Sequence, residues 1–214
     1  MSTINKISLA VQNGNRKQVL SLVQQAIDEG LPAKEILESG LLAGMDVVGQ
    51  RFVRNETFIP EVLVSARAMS SGTELLKPLL AEGEVDYLGR VLIGTVEGDL
   101  HDIGKNLVKL MIESKGVEVI DIGIDAPAEK FINTAMENDC KIICCSALLT
   151  TAMSQMETVV EKANEAGIRD KVKIMVGGAP VTQGFCDKIG ADYYTPDATT
   201  AVEKVVEILK SMAQ

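Results

Sequence analysis

From residue 90 onward, short and wholly apolar runs such as Val91-Leu92-Ile93 and Ile142-Ile143-Cys144-Cys145 alternate with longer stretches in which apolar residues recur at helical spacing. A strand that is apolar on every side chain is covered on both faces, and the topology that covers both faces is a parallel sheet with crossover helices. The pattern predicts strands at 90–94, 117–122, 141–146, 172–176 and 191–194, and helices at 104–115, 127–138, 153–167, 181–189 and 199–212. It points to an α/β fold with a doubly wound, parallel, five-stranded sheet.

The first 88 residues keep a helical period throughout. Ile4, Ile7 and Val11 mark one helix, ended by Asn13-Gly14-Asn15; Val19, Leu22, Val23, Ala26 and Ile27 mark a second, with Gly30 past its end. Leu31-Pro32 opens a third that carries Ile36, Leu37, Leu41, Met45, Val48 and Phe52. Gly40, Gly44 and Gly49 interrupt it, and since each glycine costs a helix about 1 kcal/mol, several in one helix signal close approach of a neighbour. After the turn Arg54-Asn55-Glu56-Thr57, Pro60 opens a fourth helix with Val62, Leu63, Ala66, Met69, Leu75 and Leu76. Four amphipathic helices on short turns make a bundle. The domains expected are therefore residues 1–88 and 89–214, joined through Leu79 to Tyr87.

In a sheet of flavodoxin/Rossmann-like order, 2-1-3-4-5, ligands bind beyond the carboxyl ends of the strands, where the order reverses between the first and third. The loop in that position after the first strand is Gly94-Thr95-Val96-Glu97-Gly98-Asp99-Leu100-His101-Asp102-Ile103-Gly104-Lys105-Asn106, and it holds the only histidine of the chain. An imidazole that donates one proton to a carboxylate has its tautomer fixed and its other nitrogen made a better donor. Asp99 and His101 therefore suit metal ligation or acid/base work. Their spacing alone equally suits an Asp99 that caps the next helix beside an ordinary loop histidine. Lys105-Asn106 stands where helix amides attract anions. The Gly-x-x-x-x-Gly-Lys-Ser/Thr spacing of a phosphate loop is missing, however, and Lys105 reads as a solvated first-turn residue.

Asp99-Leu100-His101-Asp102-Ile103-Gly104, then Ser146-Ala147-Leu148, then Gly177-Gly178, resembles the three-part signature of the cobalamin-binding domain found in methionine synthase and in corrinoid proteins of methyltransferase systems. The preceding bundle resembles the helical cap of those proteins, so the resemblance spans essentially the whole chain. It implies a bound cobalamin or related cobamide whose lower nucleotide is displaced from cobalt. His101 would be the metal ligand and Asp99 the carboxylate that orients it, with Gly98, Asp102 and Ile103 also among the cofactor-binding residues. Gly104 would make room for the nucleotide tail, Ser146, Leu148 and Thr150 would line its pocket, and Gly177-Gly178 would let backbone lie against it. Ser146 would hydrogen-bond a ring nitrogen of the lower base. Phe52 and Ile59 match the apolar residues that shield the corrin from above, with a hinge expected near residues 81 to 88.

The role implied is a corrinoid methyl carrier. It accepts a methyl group on Co(I) from a substrate:corrinoid methyltransferase and delivers it from methyl-Co(III) to a second methyltransferase, with coenzyme M or tetrahydrofolate as acceptor. A reductive activase is the third partner implied. The chain leaves no room for a substrate-activating barrel, which makes it a non-catalytic subunit rather than a complete enzyme. The methyl donors open to such a system are a methylamine, methanol, a quaternary amine or a methoxylated aromatic.

One departure from the pattern is Ala152, where methionine synthase has a serine that extends the histidine–aspartate relay. The relay here ends at Asp99, at a hydroxyl such as Thr151, or in water, which favours the small methyl-shuttling proteins. The small subunit of a cobalamin-dependent isomerase shares the lower-face signature, but those isomerases close the upper face with a barrel. A cobalamin-sensing regulator would add a basic DNA-binding element. The balance of 21 Lys and Arg against 30 Asp and Glu disfavours a nucleic-acid partner. With no basic leader and no apolar segment of about 18 residues, the expected setting is the cytoplasm, without a membrane partner. Cys140, Cys144, Cys145 and Cys186 lack zinc-ribbon spacing and read as small buried residues.

Overall fold

The structure, a computed structural model, describes residues 1–80 and 88–212. Of the hinge expected at 81 to 88, all but Leu88 lies outside the described residues. The chain divides into two units, Met1–Asp86 with Ser114–Gly116, and Tyr87–Glu113 with Val117–Gln214.

The first unit is helical. Ser2 caps α1 (Thr3–Gln12) by accepting the Asn5 amide, and Asn15 caps α2 (Arg16–Asp28) by accepting that of Gln18. The third helix, α3, runs through three contiguous pieces, Ala33–Glu35, the π-helical Ile36–Leu42 and Ala43–Val53. At the start of α4 (Ile59–Leu76) the Glu61 carboxylate accepts the Phe58 amide at 2.8 Å and the Thr57 hydroxyl at 2.9 Å. This closure starts the helix one residue ahead of Pro60. Ile7, Val11, Val23, Leu41, Met45, Val62, Ala66 and Leu76 are buried at the centre of the unit.

The glycine expectation holds at two of three positions. A Cβ on Gly44 would stand 2.7 Å from the Ser8 carbonyl oxygen and one on Gly40 would stand 3.1 Å from Ile7, so α1 lies hard against that face of α3. Nothing comes within 4 Å of a Cβ on Gly49.

The second unit is the sheet: β1 (Arg90–Thr95), β2 (Glu118–Asp121), β3 (Ile142–Ser146), β4 (Lys173–Gly177) and β5 (Tyr193–Thr195). The strands are parallel in the order β2-β1-β3-β4-β5, as the alternation predicted. Leu92, Ile143 and Ile174 stand in register on one face, packed beneath α6 (Ala128–Glu137), α7 (Met153–Glu165) and α8 (Gln183–Ile189). Ile93, Cys144 and Met175 form the matching row on the other face, which α5 (Ile103–Glu113) and α9 (Ala198–Met212) cover. Several boundaries shift by a residue or two from the sequence reading, and two of these shifts bear on the site. Gly177 closes β4 instead of lying in the following loop, and β5 begins later because Asp192 is engaged by its carboxylate with the Ile174 amide at 2.7 Å and with Arg169 at 2.7 Å. Among the described residues no helix is long and apolar enough to cross a membrane.

Candidate functional site

Asp99 is wholly buried, and every acceptor direction of its carboxylate is used. Oδ1 accepts the backbone amide of His101 at 3.0 Å and its ring Nδ1 at 2.7 Å; Oδ2 accepts the amides of Leu148 at 2.6 Å and Leu149 at 2.9 Å. Burial pushes this carboxyl up, but the four hydrogen bonds outweigh it and hold the group well below the ordinary carboxylate range, so Asp99 is charged at neutral pH. Because a carboxylate only accepts, Nδ1 of His101 is the donor, and in the neutral ring Nε2 is then the nitrogen with the lone pair. The His101 side chain is 53% exposed, which leaves that lone pair accessible.

The two loops are thus bolted together through one side chain. The Asp99 carbonyl also accepts the Asp125 amide at 3.0 Å, and the Asp125 carboxylate accepts the Gly98 amide at 2.7 Å, tying in the loop after β2. Thr95 at the end of β1 donates to the His101 carbonyl at 2.9 Å. Asp99 is therefore not a helix cap. Ala152 is buried, and the relay from His101 ends at Asp99 on the amides of Leu148 and Leu149.

On the α5/α9 face of the sheet lies a cavity of about 320 Å³, bounded by Gly104, Leu107 and Val108 of α5, by Ile93, Cys144 and Met175 on the strands, and by Ala198 and Ala201 of α9. Ser146, Gly177, Gly178 and Ala179 stand at its strand-end side. A Cβ at Gly104 would meet nothing within 4 Å, whereas one at Gly178 would run into Ala147 backbone. The first glycine widens the cavity and the second permits its wall. Cys144 is buried there with its thiol pushed up to about 12 by burial, and burial pushes Cys145 up as well.

Several expected site residues stand elsewhere. Leu148 is 45% exposed and contributes its amide to Asp99, not its side chain to the cavity; Thr150 is exposed in the 3₁₀ turn Thr150–Ala152. Asp102 accepts the Asn106 side-chain amide at 3.0 Å, and Ile103 is exposed at the start of α5. Phe52 is half-buried in the last turn of α3 and Ile59 is exposed at the start of α4. Lys105 is a correction. It is buried, its ammonium donating to both oxygens of Asp121 at 2.7 Å and to Asn106 at 2.8 Å, so it pins α5 to the end of β2 instead of being solvated.

The sequence reading also missed Thr195, Pro196 and Asp197, which line the cavity from the end of β5. The signal was there in principle. They stand at the carboxyl end of a strand, and Asp197 caps α9 by accepting the Thr200 amide at 2.8 Å.

Two models of a B12 binding domain match the chain, one over residues 89–206 and the other over residues 3–77. The dimethylamine corrinoid protein of Methanosarcina barkeri is 47% identical over 207 residues, covering 96% of this chain and 97% of that protein. Trimethylamine corrinoid protein 1 of Methanosarcina acetivorans is 43% identical over 208 residues, covering 96% of each. Among solved structures, the methanol:cobalamin methyltransferase complex MtaBC of Methanosarcina barkeri superposes with a TM-score of 0.91 at 30% identity, covering 97% of this chain and 80% of that one.

Proposed function

The chain belongs to the corrinoid proteins built from B12 binding domains, and from that premise we propose that it holds a cobamide with the nucleotide tail in the α5/α9 cavity and the cobalt on Nε2 of His101. Its function is that of a methyl carrier in a methyltransferase system. The fit of these residues to a cobamide rests on three features. Among the described residues no group of three or more His, Cys, Asp or Glu could cage a metal, so a single imidazole suits a metal whose other ligands arrive with it. Gly104 leaves open width at the cavity, and Ser146, whose hydroxyl has no hydrogen-bond partner among the described residues, lines it. Bound there, a corrinoid supplies a cobalt that takes a methyl group from one partner and yields it to another.

What the chain contributes is orientation and basicity. Asp99 fixes the His101 tautomer and, by its charge, strengthens Nε2 as a donor. Ile93, Leu107 and Met175 keep water from the tail. The pair at 2.7 Å carries the reading, and anaerobic reconstitution with cobalamin tests it. Paramagnetic resonance of the Co(II) form is expected to show a nitrogen axial ligand in the wild type and none in His101→Ala; identical spectra overturn the ligand assignment.

The donor is proposed to carry its methyl group on nitrogen, because the relatives at 47% and 43% identity are named for dimethylamine and trimethylamine, against 30% for the methanol complex. Assays with dimethylamine, trimethylamine, a quaternary amine and methanol, each with its methyltransferase, decide this, and methanol as the productive donor would end it. The reading is completed by a cytoplasmic setting, by a second methyltransferase using coenzyme M or tetrahydrofolate, and by a reductive activase. Phe52 and Ile59 are proposed to shield the reduced cofactor. Alanine at both is expected to shorten its lifetime in air-equilibrated buffer, and an unchanged lifetime would remove that role.

A further inference from the structure

Ser146 on β3 stands in register with Gly177 on β4, which stands in register with Thr195 on β5. Register partners in a parallel sheet point to the same face, and adjacent strands are about 4.8 Å apart. The two hydroxyls therefore flank a gap of roughly 10 Å whose floor is bare glycine backbone. A Cβ on Gly177 would lie 3.5 Å from Thr195 Oγ1, so that hydroxyl is turned toward the gap. Thr195 is 6% exposed, and both residues line the cavity.

The same row continues to Thr95 on β1, whose hydroxyl is spent on the His101 carbonyl. Among the described residues no hydrogen bond joins those of Ser146 and Thr195 to another protein group. A base seated in the slot withdraws both from water, a loss that is costly unless the base pairs them, and the apolar walls Ile93, Leu107, Cys144 and Met175 offer no strong partner. A row that saturates one hydroxyl and leaves two facing a glycine-floored slot is built for a flat ring bearing a hydrogen-bonding atom on its edge.

Resting on the cavity as the seat of the nucleotide tail, we propose that Thr195, acting with Ser146, determines which lower base the chain accepts: a nitrogen heterocycle, benzimidazole or purine, in preference to a phenolic ring. With His101 supplying the axial nitrogen, the ring nitrogen of the base is left with a lone pair, and inside an apolar slot that lone pair needs a donor. A phenolic base has no such nitrogen and leaves the hydroxyls unpaired.

The test is equilibrium binding to apoprotein, followed by absorbance, of cobalamin, cresolyl-cobamide and cobinamide, the last having no base. Wild type is expected to bind cobalamin about tenfold more tightly than cresolyl-cobamide. Thr195→Val should close most of that gap by weakening cobalamin alone, while Thr195→Ser, which keeps the hydroxyl, should preserve it. Should the valine variant fail to fold, Ser146→Ala is read in its place for the same narrowing. An unchanged ratio in a folded variant, with cobinamide still weak, overturns the inference alone. Cobinamide binding as tightly as cobalamin overturns the cavity assignment and the inference with it.

Discussion

Gly178→Ala is expected to lose more than about 3 kcal/mol of stability and, in many preparations, the soluble fold with it. Its φ of +130° lies where a side chain is strained, and strain alone accounts for roughly 1–2 kcal/mol. The larger part is steric. A Cβ there would stand 1.8 Å from the Ala147 carbonyl oxygen and 2.8 Å from its carbon, both backbone atoms that cannot swing aside like a side chain. Ala147 is itself buried, and its amide donates to Gly177 at 3.2 Å, so any retreat opens the join between the ends of β3 and β4. Gly98→Ala separates the two causes, since its φ is +81° but nothing lies within 4 Å of the added carbon. Urea unfolding should show Gly98→Ala losing about 1 kcal/mol and Gly178→Ala several times more. Equal losses would mean that the clash is relieved and the loop is softer than its hydrogen bonds indicate.

The second large effect belongs to Asp99. Asp99→Ala strands the amides of His101, Leu148 and Leu149 and should cost about 3–5 kcal/mol, the lower part of the roughly 1–3 kcal/mol range applying to each of three partly buried donors. Asp99→Asn keeps the shape but cannot accept on both sides. If its oxygen serves Leu148 and Leu149, its NH₂ faces the imidazole, which must then turn to the tautomer protonated on Nε2, the wrong one for ligation. With a single histidine in the chain, nitrogen NMR of the apoprotein reads the tautomer directly: Nδ1-protonated in wild type, Nε2-protonated in the variant.

Acid exposes the same carboxylate. Its folded value lies below the ordinary 3.8, so it binds a proton less readily folded than unfolded. Its contribution is complete above about pH 5 and drains away as pH falls past 4 toward the lowered folded value. The stability difference between wild type and Asp99→Asn should therefore shrink in acid, and a constant difference from pH 7 to pH 3 would show that Asp99 is not the group responsible.

What could be read from the chain, and what could not, follows from the range over which each interaction acts. The strands were legible because Val91-Leu92-Ile93 and Ile142-Ile143-Cys144-Cys145 are apolar on both faces, a local property. The order β2-β1-β3-β4-β5 was expected as the flavodoxin-like arrangement of five β/α units. Lys105 was misread because its partner Asp121 lies sixteen residues away on the edge strand, and charge by itself suggests a surface. Leu148 was assigned by its side chain although the fold uses its amide, a group every residue but proline has. Thr195 was overlooked because it comes to line the same cavity as Gly104 only once β4 and β5 are laid beside β3 and α9 is folded back.

The thiols under α5 and α9 carry one more consequence. A molecule that ferries an electrophilic one-carbon unit is in danger of alkylating itself, and sulfur is the side-chain atom quickest to react. Burial holds the Cys144 thiol at about 12, so at pH 7 it stays protonated and the reactive thiolate is suppressed. That sulfur is kept chemically silent by the same apolar walls that shape the cavity proposed for the nucleotide tail, and the carrier is spared from becoming its own acceptor.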